Sequence, residues 1–278
     1  MHSLIQWKLI SLVIIIFLSC GPSEQERRTR AQNDLAARNI EYSNVNFIRA
    51  VESGDSALAA LFIEAGIYPD LITRAGVTPL MIAAAHGHVP VARLLISTGA
   101  DVNAEQQNGA TVLNVVLMGE QAVNSQANTA YLQQDIKNRI ARKTELIELL
   151  INSGAEVIPD SYTLLLQGIK TAVEPGGNTR ILQMILNAGA DVNQRPVWGK
   201  STLMIGVESM LYRPNLEVVR LLLEKGANIN DRYIDPRDPA RPISALSITR
   251  AKEFRDSVGE NLADQLIKLL QEADTKIQ

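Results

Sequence analysis

The chain has 278 residues, 46% of them apolar and only 4% aromatic, so it can bury a sizeable core but must fill it mostly with small aliphatic side chains. Lys and Arg number 27 against 30 Asp and Glu, and the formal charge of -3 gives no long-range attraction to nucleic acid, so no nucleic-acid partner is expected. The single cysteine, Cys20, excludes an intrachain disulfide framework and any zinc site built from several thiolates.

Residues 9–18 read Leu-Ile-Ser-Leu-Val-Ile-Ile-Ile-Phe-Leu, preceded by Lys8 and followed by Ser19 and Cys20. This run is about half of the roughly 20 residues that a transmembrane helix needs, and its length fits the apolar stretch of a cleaved signal peptide. The ending Phe17-Leu18-Ser19-Cys20 resembles the lipobox of bacterial lipoproteins, with Phe17 where leucine is usual. That resemblance implies a signal peptide over residues 1–19 and a lipid, palmitate among its chains, on Cys20. It also implies a domain tethered to the membrane of a bacterial cell envelope, facing the periplasm or the exterior. Acyl chains stabilise such attachment by about 0.8 kcal/mol per buried methylene, so two or three would make it effectively permanent. Residues 21–34 hold one alanine and no large apolar side chain, and residues 20–42 are expected as a lipidated N-terminus and solvated tether, partly helical. Arg27, Arg28 and Arg30 could touch lipid phosphates, although Glu24 and Glu26 offset two of these charges.

Five later segments end alike, at Gly66, Gly99, Gly154, Gly189 and Gly226, each preceded by an apolar triplet such as Leu94-Leu95-Ile96. The glycines are 33, 55, 35 and 37 residues apart, and 55 is one period with about 22 residues inserted. In the clearest copy Thr78 can cap a helix, Pro79 suits the first helical position, and Ala83 and Ala84 permit close helix approach. Val91, Leu94 and Leu95 form the buried face of a second helix, Gly99 ends it in the left-handed conformation, and Asn103 favours the turn beyond. The run Gly76-Val77-Thr78-Pro79-Leu80-Met81-Ile82-Ala83-Ala84-Ala85-His86-Gly87-His88, continuing to Gly99-Ala100-Asp101-Val102-Asn103, resembles an ankyrin repeat. The resemblance extends in weaker form over residues 43–278 and implies an all-α ankyrin-repeat solenoid of about six helix-turn-helix repeats joined by short hairpin loops. Repeat one (about 43–72) lacks the Thr-Pro-Leu start and resembles a cap. Repeat three starts at Gly109-Ala110-Thr111-Val112-Leu113 and contains an insertion near 118–143, whose end, from Tyr131 through Leu132, Ile136 and Ile140, extends its outer helix backwards. Repeat four carries Thr163-Leu164-Leu165 and a Pro175-Gly176-Gly177 break. Repeat five starts Gly199-Lys200-Ser201-Thr202-Leu203 and has a longer inter-helix loop at Tyr212-Arg213-Pro214-Asn215. The last, from about 231, has Leu266-Ile267-Lys268-Leu269-Leu270 in its second helix and Asp274 in place of the glycine, which suits a polar C-terminal cap.

The sequence carries no phosphate loop, no Gly-x-Ser-x-Gly elbow and no His-Glu-x-x-His, so no catalytic residue, cofactor or metal is expected. His86-Gly87-His88 lacks a nearby third ligand, and His88 stands where ankyrin repeats often carry histidine. In that family the hairpin tips and inner helices form a concave binding surface, so the expected site is a protein-binding one. By position it comprises Arg74, Gln107, Asn108, Val197, Trp198 and Lys200 at hairpin tips, with His86 on the same surface. Trp198 is either an interface anchor or a lid on the hydrophobic edge of the stack. The insertion is either a tolerated surface loop or a partner-specific projection. The expected function is therefore a membrane-tethered scaffold or adaptor with an unidentified protein partner; the alternative is an immunity or inhibitor protein that covers the active site of a secreted or envelope enzyme.

Overall fold

A computed structural model describes residues 22–118, 130–157, 161–174, 177–196 and 199–275, with the side chains of the third-repeat outer helix described from residue 134. The chain opens with α1 (Glu24–Ala37), followed by α2 (Asn44–Ser53) with α3 (Ser56–Glu64), and α4 (Pro79–Ala85) with α5 (Val89–Ser97). Three further pairs are α6 (Val112–Met118) with α7 (Ala130–Asn152), α8 (Ser161–Val173) with α9 (Arg180–Asn187), and α10 (Thr202–Ser209) with α11 (Leu216–Glu224). A hairpin of β1 (Tyr233–Asp235) and β2 (Asp238–Ile243) leads to α12 (Ala245–Arg250), α13 (Lys252–Val258) and α14 (Glu260–Thr275).

Two helical layers result. The first members of the pairs touch one another in sequence, α2 to α4, α6, α8, α10 and α12, and form an inner layer. The second members form the outer layer, with α3 against α5, α5 against α7, and α7 against α9. The core lies between the layers and is filled by short side chains such as Ala83, Ala84, Val91, Ala92 and Leu95, together with the edge-to-face pair Phe47 and Phe62. The two layers are close at Gly206, where a β-carbon would stand 2.7 Å from Leu222 Cδ1, and at Gly168, where it would stand 3.3 Å from Leu182 Cα.

The local chemistry of each repeat explains its start and stop. Thr78 Oγ1 accepts from the Met81 N–H at 3.3 Å with Pro79 in the first turn, and Ser201 Oγ accepts from the Met204 N–H at 3.4 Å. Repeat three uses a reciprocal pair instead: the Asn114 N–H donates to Thr111 Oγ1, while Asn114 Oδ1 accepts from the Thr111 N–H at 3.0 Å. Gly66, Gly99, Gly154, Gly189 and Gly226 all have φ between 84° and 106°, and the next residue's N–H reaches back into the last helical turn, as Ala100 does to the Leu95 carbonyl at 2.9 Å.

The hairpins are tied in series by hydrogen bonds from one to the next. Asp70 accepts from the Asp101 N–H, Asn103 from that of Glu156, Ser161 from that of Asp191, and Asn193 from that of Asn228, at 2.8–3.0 Å. The amide groups of Asn103 and Asn193 also donate to the carbonyls of Gly154 and Gly226.

Several expectations from the sequence are corrected. Residues 24–37, expected within a solvated tether, form α1, which docks on α3 through buried Ala31 and Leu35, and Gln32 donates to the Ala65 carbonyl at 3.0 Å. Asn39, at φ 55°, plays the part of the helix-ending glycine, and the Ile40 N–H returns to the Leu35 carbonyl as the residues after Gly66, Gly99, Gly154, Gly189 and Gly226 do in their own helices. The solenoid thus begins with the outer half of a repeat. The last connection is not a short loop but an antiparallel ladder, with Tyr233 opposite Ile243 and Asp235 opposite Asp238. An extra helix, α13, separates the last inner and outer helices, fixed by Arg255, which reaches Glu260 and, at 2.9 Å, Asp264. Helix α14 runs through Asp274 to Thr275. The backward extension of the third outer helix is present as the 23 residues of α7. The signal peptide, Cys20, residues 119–129 of the insertion, and Pro175 and Gly176 lie outside the described residues.

Candidate protein-binding face

Each inner helix meets an outer helix on one side and inner helices on its flanks, which leaves one face free. In the clearest repeat, positions two, five and six after Thr78 are buried, at Leu80, Ala83 and Ala84. Counted from Thr78 and its counterparts Val45, Thr111, Thr163 and Ser201, positions four and seven remain partly or fully accessible, and in chain order they hold Arg49 and Glu52, Ile82 and Ala85, Val115 and Met118, Gln167 and Lys170, then Ile205 and Glu208. This row is apolar over repeats two and three, where Met118 is 44% exposed, and polar in repeats one and four, while repeat five pairs Ile205 with Glu208. Burying an apolar centre inside a polar rim is how protein interfaces separate affinity from specificity. The expected set of hairpin-tip residues leaves this row out, although the spacing of four and seven from Thr78, Thr111 and Ser201 marks it.

The expected site residues fall into four groups. Arg74, Gln107 and Asn108 are exposed on the first two hairpins. The Gln107 side chain lies across Gly76, 3.2 Å from where a β-carbon would be, and Asn108 Oδ1 accepts from the Ala110 N–H at 3.0 Å, so these hairpins brace each other. Lys200 is held rather than free: Nζ lies 2.5 Å from Glu208 Oε1 and 5.7 Å from the Tyr233 ring centre. Its carbonyl accepts from the Tyr162 hydroxyl at 3.2 Å. Burial pushes the Tyr162 phenol up from its ordinary pKa, and the charge of Arg195 acts in the opposite direction. Arg195 reaches Asp231 at 3.7 Å and donates to the carbonyls of Gly199 and Arg232, clasping the last two hairpins together. Val197 and Trp198 lie outside the described residues.

His86 caps the C-terminal end of α4, away from the hairpin tips. Its Nδ1 donates to the Ile82 carbonyl at 2.9 Å, and its ring stacks on that of His88 with centres 5.7 Å apart. His88 joins repeats: Nε2 donates to the Glu52 carbonyl at 2.9 Å, and its ring fills the space beside Gly54, where a β-carbon would come within 2.7 Å of Nδ1. Among the described residues no group of three His, Cys, Asp or Glu side chains is placed to hold a metal ion.

A profile of ankyrin repeats in three copies matches residues 47–126, and a profile of the single ankyrin repeat matches residues 199–233. An ankyrin repeat domain from Acinetobacter baumannii AYE has a similar structure, with a TM-score of 0.56 and 20% identity over 84% of this chain and 99% of that one. The chain carries ankyrin repeats and folds as an all-α ankyrin-repeat solenoid, the architecture of a protein-interaction module. A chain of the complex between a predatory endopeptidase from Bdellovibrio bacteriovorus and an immunity protein is similar in fold, with a TM-score of 0.52 and 19% identity over 81% of this chain and 96% of that one. An L-asparaginase of Dirofilaria immitis is 27% identical over 211 residues, which are 74% of this chain; the chain spans only 31% of that protein's length.

Proposed function

We propose that this chain is a lipid-anchored scaffold or adaptor of the bacterial cell envelope that binds a protein partner along its free inner-helix face. The observation that carries the binding role is the row from Ile82 to Met118, an accessible apolar strip bounded by Arg49 and Glu52 on one side and Gln167 and Lys170 on the other. The anchor rests on the short apolar run that ends in Leu18-Ser19-Cys20. Cys20→Ala should abolish labelling by a fatty-acid probe and either release the domain or leave an unprocessed precursor; undiminished labelling of this variant removes the anchor. Capture from envelope extract with purified protein, followed by cross-linking to a photoreactive residue in place of Met118, tests the face. Cross-links confined to the outer helices would refute it.

A second reading is an immunity or inhibitor protein, supported by the similarity in fold to a chain from an endopeptidase and immunity-protein complex. One stoichiometric enzyme partner that loses activity on binding favours inhibition; partners that keep their activity favour the scaffold.

A further inference from the structure

The hairpins can be compared position by position from the glycine that precedes each. Two residues after it stand Asp101, Glu156, Asp191 and Asn228, and six residues after it Glu105, Arg195 and Arg232. The first hairpin alone places apolar side chains there, Tyr68 and Ile72, which are 68% and 72% exposed. Tyr42 and Val45, where the chain leaves α1 and enters α2, are 44% and 61% exposed. Half of the large apolar side chains exposed among the described residues therefore belong to the first repeat and its approach. Because α1 has no inner-helix companion and its link to α2 spans only residues 38–43, no described inner helix or hairpin covers this end of the stack.

The attachment geometry says what does. Helix α1 is docked on the core, so only Gly21, Pro22 and Ser23 separate Cys20 from its first residue, a reach of about 10–14 Å even when fully extended. From that point the 14 residues of α1 span about 21 Å toward Tyr42, with Arg27, Arg30 and Arg38 exposed along the way. Tyrosine and arginine suit the headgroup region, where an apolar body and a polar tip are both satisfied. We propose that the N-terminal end face of the solenoid, including α1 and the first hairpin, lies on the lipid surface to which Cys20 is attached; this rests on the lipid-anchor reading above. The solenoid then stands on the bilayer instead of swinging from it.

The test uses full-length lipidated protein reconstituted into phosphatidylethanolamine and phosphatidylglycerol vesicles. An Ile72→Cys variant is labelled with an environment-sensitive nitrobenzoxadiazole; Cys20 is the only native cysteine and would be blocked by acylation. The label at 72 should brighten roughly two-fold or more on reconstitution and be quenched by nitroxide lipids, as expected of a side chain in the interface. The same label at Asp256→Cys, in the last repeat, should respond to neither. Protein that floats with the vesicles while the label at 72 stays in water overturns the end-face placement and leaves the anchor standing. Protein that does not float overturns both. Brightening without nitroxide quenching assigns the patch to a second copy or another protein and overturns the lipid assignment.

Discussion

Gly54 and His88 share one space, and that pairing makes the first repeat junction sensitive to single atoms. Gly54 has φ 76°, which costs an L-residue roughly 1–2 kcal/mol, and a β-carbon there would also collide with the His88 ring. Gly54→Ala should therefore destabilise by more than the backbone cost alone, while His88→Ala should lose about 1 kcal/mol with the hydrogen bond to Glu52. In the double variant the collision is gone and the two losses should sum to less than their separate values, as a denaturant cycle would show. Asp235 allows a pH test. Arg237 donates to it from its guanidinium and its backbone N–H and holds its carboxyl below the ordinary range. A folded-state pKa below the unfolded one means that this contribution is complete above the unfolded pKa of about 3.9 and is lost as pH falls through the lower folded value. Carboxyl NMR should give an Asp235 midpoint below about 3.9, and Arg237→Ala should move it up toward that value. His88 was legible as a repeat residue from its place after Gly87, but its partner was not, because Glu52 offers only a backbone carbonyl, which no side-chain pattern reveals.

Helices differ in how plainly the sequence announces them. The cap and first-turn proline of α4 are written in Thr78-Pro79, and Thr78→Ala should cost about 1 kcal/mol in a denaturant titration. Ala84 is buried where the layers meet, so Ala84→Leu should cost about 1–3 kcal/mol through overpacking. Helix α1 was missed as a packed element because its buried face consists of Ala31 and Leu35 alone and Asn39 replaces the expected glycine. The spacing from Leu35 to Asn39 and Ile40 nevertheless repeats that from Leu95 to Gly99 and Ala100. Leu35→Ala should cost about 2–5 kcal/mol if α1 is part of the cooperative unit, and an unchanged midpoint would return it to a tether. The β1–β2 ladder was obscured for a different reason. Pro236, Pro239 and Pro242 lack N–H donors and argue against a strand, but a two-stranded ribbon has free edges on which such residues are tolerated.

At the scale of the molecule, the period of the glycines was enough to set the layered architecture, because each repeat can bury its apolar side only against its neighbours. The binding face was less legible. Hairpin tips were expected to bind from their place in the repeat, yet Lys200 is occupied internally by Glu208 and Tyr233, whereas Met118 and Lys170 are accessible on helices that are otherwise largely buried. With a recovered partner, Met118→Asp should weaken binding by about 2 kcal/mol or more if the apolar strip is its centre, and Trp198→Ala by a similar amount if that side chain is an anchor. His86→Ala should cost less, and Lys225→Ala, at the end of an outer helix, should leave calorimetric affinity unchanged; a loss confined to Lys225→Ala would put the partner on the opposite side. The series of bonds between hairpins also gives the protein its own reporters. The amide protons of Asp101, Glu156, Asp191 and Asn228 are each held by an acceptor from the hairpin before, or its helix start. In deuterated water each can exchange only when its own junction opens, so four rates along one chain chart where the stack first parts and from which end it unzips.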